Sequence, residues 1–439
     1  MEESPLSTKD VPLLGLFGKL TALKRDWTEQ HRLVSILHVG DSHVASDTMT
    51  AEIRRLLQRE FGNGGRGYAL AGKPWRSFRQ EQMKNSMGGE WQRTVGLRKD
   101  AEGPFGLGGG RVTSSEPGAW IERRVAGVQG FSEATVTFLS HPEGGRLRIL
   151  VDGKEHHVLD TRADESALIA VRLIVDAGKA RLLRLEVVDN APVTVMGIAT
   201  WAAESGVVYH AVGLNGAEAR TFLRFDETMT RAEVAALAPD LLVFTLGTNE
   251  AYNLNKEEIL SPTLFEQQRD KLLQLIGRYR GAAPKADCLL LLPMDLAIKP
   301  ADRSCYKRVR VKRRGRWRRS WRLNKELSPL EHPQCAWSTP QSLEIMRIAA
   351  MEAAKVAACA VWDQQYAMGG EGSIRRWAKM DPPLAGQDGV HLRLKGYRWL
   401  GNLLVNDLLS AFDNWKKTGR IELQTNYQMI PGSEKDVSH

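Results

Sequence analysis

Short β-branched apolar runs that end in glycine and polar residues and pass directly into helical repeats recur along this chain, and they limit its fold more than any other feature. Val34 to Val39 is such a run. It ends in Gly40-Asp41-Ser42-His43, and an amphipathic helix follows with Met49, Ile53, Leu56 and Leu57 on one face. From residue 206 the pattern repeats through Val207 to Val212, Ala217 to Phe225, Leu241 to Thr245, Leu264 to Arg280, Cys288 to Met294, Pro340 to Ala358, Ala360 to Trp362 and Tyr397 to Phe412. Strands alternating with helices predict a parallel sheet covered by helices on both faces. A helix from Pro12 to about Gln30, with Leu13, Leu14, Phe17, Leu20 and Leu23 at helical spacing, should pack ahead of the first strand.

Residues 70–205 have a different character. Helical periodicity disappears, and short alternating runs recur between turn residues: Ala119 to Val125, Ala134 to Leu139, Arg146 to Val151, His156 to Leu159, Leu168 to Ile174, Arg181 to Val188 and Val193 to Trp201. That spacing predicts an antiparallel β-sandwich inserted into the α/β domain, with its two ends close together. The domain plan is thus residues 1–69 and 206–427 for the α/β domain, 70–205 for the insertion and 428–439 for a frayed tail. Gly62, Gly64 and Gly67 fit a G-x-G-x-x-G pattern but follow a helix instead of a strand. They are read as a helix exit needing positive φ, not as a dinucleotide site.

Four short blocks lie at strand ends, in this order: Gly40-Asp41-Ser42-His43; Gly213-Leu214-Asn215-Gly216-Ala217; Leu246-Gly247-Thr248-Asn249-Glu250; and Asp388-Gly389-Val390-His391. Together they resemble the SGNH or GDSL hydrolase family, over about residues 30–70 and 206–412. The resemblance implies a flavodoxin-like three-layer α/β/α domain. An SGNH domain interrupted by a β-sandwich looks like the bacterial peptidoglycan O-acetylesterases, whose inserted module resembles a carbohydrate-binding domain. The Gly-Asp-Ser-His block followed by Phe61-Gly62-Asn63-Gly64-Gly65-Arg66-Gly67 fits that subgroup better than lipolytic relatives.

The resemblance assigns Ser42 as nucleophile, His391 as its base and Asp388 as the carboxylate that orients the imidazole. The oxyanion hole would comprise the amide of Ser42, the amide of Gly216 and the side chain of Asn249, with Gly213 as the alternative to Gly216. Asp41 is read as holding the turn, and His43 as a packing residue. This chemistry needs no cofactor. No Cys/His pair has zinc spacing, so no metal is expected. An esterase removing O-acetyl groups from a cell-wall polysaccharide is the leading expectation. An O-acetyltransferase with the same triad, another carbohydrate acetylesterase and a non-catalytic polysaccharide-binding protein are the alternatives.

The net charge of +9 comes from one stretch. Residues 307–322, KRVRVKRRGRWRRSWR, carry ten cations and no acid, and without them the chain would stand at −1. With a turn near Arg314-Gly315, this stretch, within the loop 305–335, predicts a β-hairpin having a Val/Trp face (Val309, Val311, Trp317, Trp321) and an Arg/Lys face. Arg310, Lys312, Arg316, Trp317, Arg318 and Trp321 are candidates for binding an anionic polymer or sugar rings. Nucleic acid would suit the same features, but the esterase reading expects none.

Four cysteines are too few for a disulfide scaffold. Cys288 and Cys359 lie in apolar runs and are read as core residues. Cys305 and Cys335 bracket the basic loop and could staple it, which would place the protein in an oxidising compartment. No apolar run is long enough to span a bilayer, and Val11 to Phe17 lacks the features of a signal peptide. The protein is expected to be exported, to the periplasm or cell envelope, with its signal missing from this sequence.

Overall fold

A computed structural model describes residues 6–7, 13–25, 31–97, 101, 103–127, 130–175, 179–254, 256–313, 316–324, 326–327 and 332–419. The expected tail 428–439 and the hairpin turn at Arg314-Gly315 lie outside them. In chain order the α/β elements are α1 (Leu14–Arg25), β1 (Leu33–Gly40), α2 (Ser42–Ala45), α3 (Thr48–Phe61), β2 (Gly206–Gly213), α4 (Glu227–Leu237), β3 (Leu241–Thr245), α5 (Leu264–Ala282), β4 (Asp287–Leu292), α6 (Gln341–Val356), β5 (Ala360–Asp363) and α7 (Leu394–Thr418). Of the expected first helix, α1 is the described part. The expected helix 217–225 is a single short segment, Ala219–Leu223, followed by α4, which the sequence reading did not resolve.

The five strands are parallel in the order β2-β1-β3-β4-β5, and Leu6–Ser7 adds an antiparallel edge to β5. β1 to β4 are buried on both faces, which explains the near-continuous apolar runs, whereas β5 buries Ala360 and Trp362 and leaves Val361 and Asp363 half-buried. Val34 and Ile36 of β1 join Leu16, Phe17, Ile53, Leu57 and Leu404 in one core, under α1, α3 and α7. Leu37 and Val39 point the other way, joining Val234, Leu275, Ile276 and Ala353 under α4, α5 and α6. The strand order reverses direction between β1 and β3. Ligands of open α/β sheets bind at such a switch point, outside the carboxyl ends of the strands.

Between α3 and β2 lie two antiparallel sheets. One has the order 154–160, 146–151, 182–187, 120–125, 83–88; the other has 167–174, 133–140, 193–201, 110–114, 92–95, with Ala69–Leu70 also pairing to Val193–Trp201. Their facing sides share one core, including Val112, Ile121, Val136, Ile149, Leu185 and Val195. The seven runs expected from the sequence are all strands, and 83–88, 92–95 and 110–114 are additional. The entering and leaving chains lie side by side: Gly64 N–H donates to Val207 O (3.1 Å), Ala202 N–H to Gly64 O (3.0 Å) and Gly67 N–H to Thr200 O (2.9 Å). Positive φ occurs at Gly62, Gly65 and Gly67, so Gly65 takes the place expected for Gly64.

A buried ion cluster fixes this junction. Asp47, at φ 49° ahead of α3, accepts from Arg54 (3.2 Å) and Arg66 (2.8 Å), all three buried, and from the amide of Glu81 (2.8 Å). Arg66 continues to Gln80 (2.6 Å), and Arg54 hydrogen-bonds Gln82. Burial pushes Asp47 upward, but the two guanidiniums outweigh it and hold the carboxyl below its ordinary range.

Two disulfides are present, Cys288–Cys359 and Cys305–Cys335. The first corrects the reading of Cys288 and Cys359 as unlinked core residues. Cys288 lies on β4 and Cys359 immediately before its neighbour β5, so strand pairing brings their Cα atoms to 4.6 Å. The second joins the ends of the loop that carries the hairpin.

The hairpin consists of Tyr306–Arg313 and Arg316–Leu323, paired only with each other. Its register corrects the expected Val/Trp face. Val311 lies opposite Arg318 and Val309 opposite Ser320, whereas Lys312 lies opposite Trp317 and Arg308 opposite Trp321. Directly opposed residues share a face, so the valines and tryptophans lie on opposite sides. Both sides carry cations.

Candidate active site

The carboxyl ends of β1, β2 and β3 converge, and three of the four sequence blocks meet there. Gly40 ends β1 because α2 folds back over it: a Cβ would lie 2.5 Å from Cγ2 of Val44 and 2.6 Å from Thr245 O. Asp41 caps α2, with its Oδ1 accepting from His43 N (2.9 Å). Ser42 then becomes the first residue of the helical turn, where amides have no intrahelical acceptor.

The fourth block arrives from the far end of the chain. Ser42 Oγ lies 3.0 Å from Nε2 of His391, and Nδ1 of His391 lies 2.9 Å from Oδ2 of Asp388. The other oxygen of Asp388 accepts the amides of Val390 and His391, each at 3.0 Å. Partial burial raises Asp388, but these amides and the ring overcome it and leave the carboxyl below its usual range. An ionised Asp388 can only accept, so Nδ1 of His391 carries the proton and Nε2 offers its lone pair to Ser42.

Asn249, at the start of the helix Thr248–Asn253 after β3, ties the blocks together. Its Nδ2 donates to Ala217 O (3.0 Å) and, at longer range, to Asp41 Oδ2 (3.3 Å). Glu250 does the same from below, accepting from Ala219 N (2.8 Å) and Gly247 N (2.9 Å). Gly216 is exposed at φ +78° in the turn after β2, and its amide has no acceptor among the described residues. Gly213 differs. It is paired within β2, and a Cβ there would collide with the amide of Ala45. Its smallness serves the close approach of α2.

Desolvation raises Asp41 to about 8 and Glu250 to about 7, with the charge of Glu250 adding to the shift at Asp41. Near neutral pH the floor beneath Ser42 therefore carries less than its formal negative charge. His43 is fully buried, and burial, followed by the neighbouring His391, lowers it to about 3. Its Nδ1 pairs with Tyr397 Oη (2.8 Å), and its ring centre lies 5.6 Å from that of His391. His43 is thus held neutral near neutral pH, and His391 is the imidazole that faces Ser42.

Sequence reasoning missed the support behind the Asp388–His391 turn. Gly389 O accepts from Ala297 N (2.8 Å), and Trp337 covers Gly389 with Arg375 stacked on it (4.3 Å). Ala297 and Trp337 are next to the stems of the basic loop, which bridge antiparallel at Ile298 and Ser338. The candidate polymer-binding residues Arg310, Lys312, Arg316, Trp317, Arg318 and Trp321 all lie on the two hairpin strands, which pair apart from the sheet that carries Ser42.

No protein-family model matches the chain, and no curated protein does. Among solved structures, a peptidoglycan O-acetylesterase superposes with a TM-score of 0.69 at 20% identity, covering 94% of this chain and 99% of that one. The acetylxylan esterase Axe2 from Geobacillus stearothermophilus (TM-score 0.29, 14% identity, 46% of this chain and 72% of that one) is a much weaker match. So is a family two carbohydrate esterase from Clostridium thermocellum (TM-score 0.27, 11% identity, 75% and 99%). Likenesses that weak carry no argument. The first likeness, with the β2-β1-β3-β4-β5 order, establishes the fold: a parallel α/β/α sheet with an inserted β-rich domain.

Proposed function

We propose that this chain is an SGNH-type serine esterase that removes O-acetyl groups from a cell-wall polysaccharide of the peptidoglycan type. The observation that carries this reading is the line from Asp388 through His391 to Ser42, with contacts of 2.9 and 3.0 Å. His391 Nε2 takes the Ser42 proton as Oγ adds to the acetyl carbonyl. The resulting oxyanion is met by the amides of Ser42 and Gly216 and by Asn249, which exchanges its long contact to Asp41 for the substrate. The C–O bond to the sugar breaks, the sugar oxygen takes the proton from His391, and acetyl-Ser42 remains. Water then repeats the sequence and releases acetate.

Several features support the details. The sandwich 70–205 is an inserted module suited to hold polymer, and the contacts of Gln80, Glu81 and Gln82 with Arg66, Asp47 and Arg54 tie it to α3, which follows Ser42. Two disulfides suit an exported, periplasmic protein, and no helix among the described residues is long and apolar enough to cross a membrane. The test is acetate release from O-acetylated peptidoglycan and acetylated xylan, measured side by side for wild type and Ser42→Ala. Faster release from peptidoglycan, abolished in the variant, is expected. Equal turnover of p-nitrophenyl acetate by Ser42→Ala would remove the mechanism. Preference for xylan would move the substrate elsewhere.

A further inference from the structure

We propose that one face of the basic hairpin, formed by Arg308, Arg310, Lys312, Trp317, Arg319 and Trp321, docks a glycan strand bearing carboxylates. This deepens the esterase reading and rests on it, because it names the polymer that would present the ester.

The hairpin register makes this a defined surface. Trp317, Arg319 and Trp321 alternate along one strand, directly opposite Lys312, Arg310 and Arg308 on the other. The two indoles are 61% and 63% exposed. Same-face neighbours on a strand are about 7 Å apart, so the rings lie roughly 13 Å apart with a guanidinium between them. Arg310 stands 5.8 Å from the Trp317 ring centre. Sugar rings can stack on the indoles while a carboxylate between them meets Arg319 and the opposite cations. Among the described residues none of these four cations has a carboxylate partner, whereas Lys307, on the other face, pairs with Glu326. Such clustering is self-repulsive until an anion arrives.

Two other polyanions fit less well. An element lying in a lipid interface buries a continuous apolar face. Here valine and tryptophan are on opposite sides, and Arg319 interrupts the tryptophans. Single-stranded nucleic acid would find both stacking and charge. It offers no acyl ester, however, and the hairpin stems at Ile298 and Ser338 are next to Ala297 and Trp337, the two residues packed on the catalytic turn.

The experiment uses the full chain with both disulfides formed. Probes are immobilised polygalacturonate, unsubstituted xylan, oligo-dT and phosphatidylcholine/phosphatidylglycerol vesicles, and p-nitrophenyl acetate turnover is followed in parallel. Wild type should bind polygalacturonate most tightly and lose affinity with added salt. Trp317→Ala/Trp321→Ala and Arg310→Glu/Lys312→Glu should each weaken that binding about tenfold or more, equivalent to about 1.4 kcal/mol. Arg318→Glu/Arg322→Glu changes the net charge equally on the opposite face and should weaken it less than about threefold. Turnover of p-nitrophenyl acetate should be unchanged throughout. Equal losses from the two reversal pairs would overturn the docking face, as would tighter binding to oligo-dT or vesicles. Polygalacturonate binding as expected in a wild type unable to cleave p-nitrophenyl acetate would leave the docking face and remove the esterase.

Discussion

Asp388 holds both the ring and the backbone of His391: one oxygen meets Nδ1 at 2.9 Å while the other accepts the His391 amide at 3.0 Å. The carboxylate therefore sets the shape of the turn as well as the tautomer. Asp388→Asn retains an amide acceptor but can present an N–H to Nδ1, favouring the wrong tautomer. Its kcat for p-nitrophenyl acetate should fall about 10³–10⁴-fold, leaving a measurable residue, whereas Ser42→Ala and His391→Ala should leave none above background. Asp388→Asn at wild-type rate would show that the carboxylate only builds the turn.

Gly389→Ala tests the support of that turn. Gly389 has φ +79°, and a Cβ would run into Ala297 O and approach Cζ3 of Trp337 to 2.7 Å. An alanine there is strained by about 1–2 kcal/mol before any clash is counted. Stability in urea should fall by at least that much, and kcat should fall as His391 moves away from Ser42. An alanine variant matching wild type in both would mean that the Trp337 platform is dispensable.

Asp47→Asn tests the buried junction. Asparagine tolerates φ 49°, so the change removes charge and leaves the geometry accessible. Arg54 and Arg66 would then be buried without their anion, a loss of about 3–5 kcal/mol. Urea unfolding measures it, and a loss below about 1 kcal/mol would show that Gln80, Gln82 and backbone carbonyls suffice.

The pH dependence of stability should have a plateau. Burial lowers His38, His43 and His210 from 6.5 to about 3, so between those values the unfolded chain binds more protons and stability falls with acidity. Burial raises Asp41 from 3.8 to about 8, and Glu233 and Glu250 from 4.5 to about 7. There the folded chain binds more protons, and stability falls as pH rises. The two sets oppose each other between about 4.5 and 6.5, leaving a flat region. Below about 4 the histidines are joined by Asp47 and Asp388, whose lowered carboxyls also cost stability as pH falls, and above about 6.5 the raised carboxyls act. Melting temperatures recorded across pH should show that plateau with losses on both sides. A single sharp optimum would contradict it.

Much of the α/β domain was legible because both faces of β1 to β4 are buried, so Val34–Val39, Leu241–Thr245 and their neighbours stand out as apolar runs. The site blocks were legible because chemistry restricts residue identity at strand ends, and Ser42, His391 and Asp388 do meet. The hairpin was legible as a hairpin but not in its faces. Position 313 pairs with 316, so an odd-numbered residue on one strand shares its face with an even-numbered one on the other. The Cys288–Cys359 bond was hidden because an apolar run suits a half-cystine as well as a packed thiol. Only strand order makes the two neighbours. Trp337, His43 and Tyr397 were illegible as site supports, since their roles arise from contacts between segments distant in sequence.

The two disulfides are nested. Cys288–Cys359, 71 residues apart, encloses Cys305–Cys335, 30 apart, which encloses the hairpin. Ser42 precedes both rings and His391 follows them. A protease that cuts within the arginine-rich hairpin therefore produces two chains that remain one covalent molecule, with Ser42 on one and His391 on the other. Such a nicked protein runs as a single species without reductant and separates into two with it.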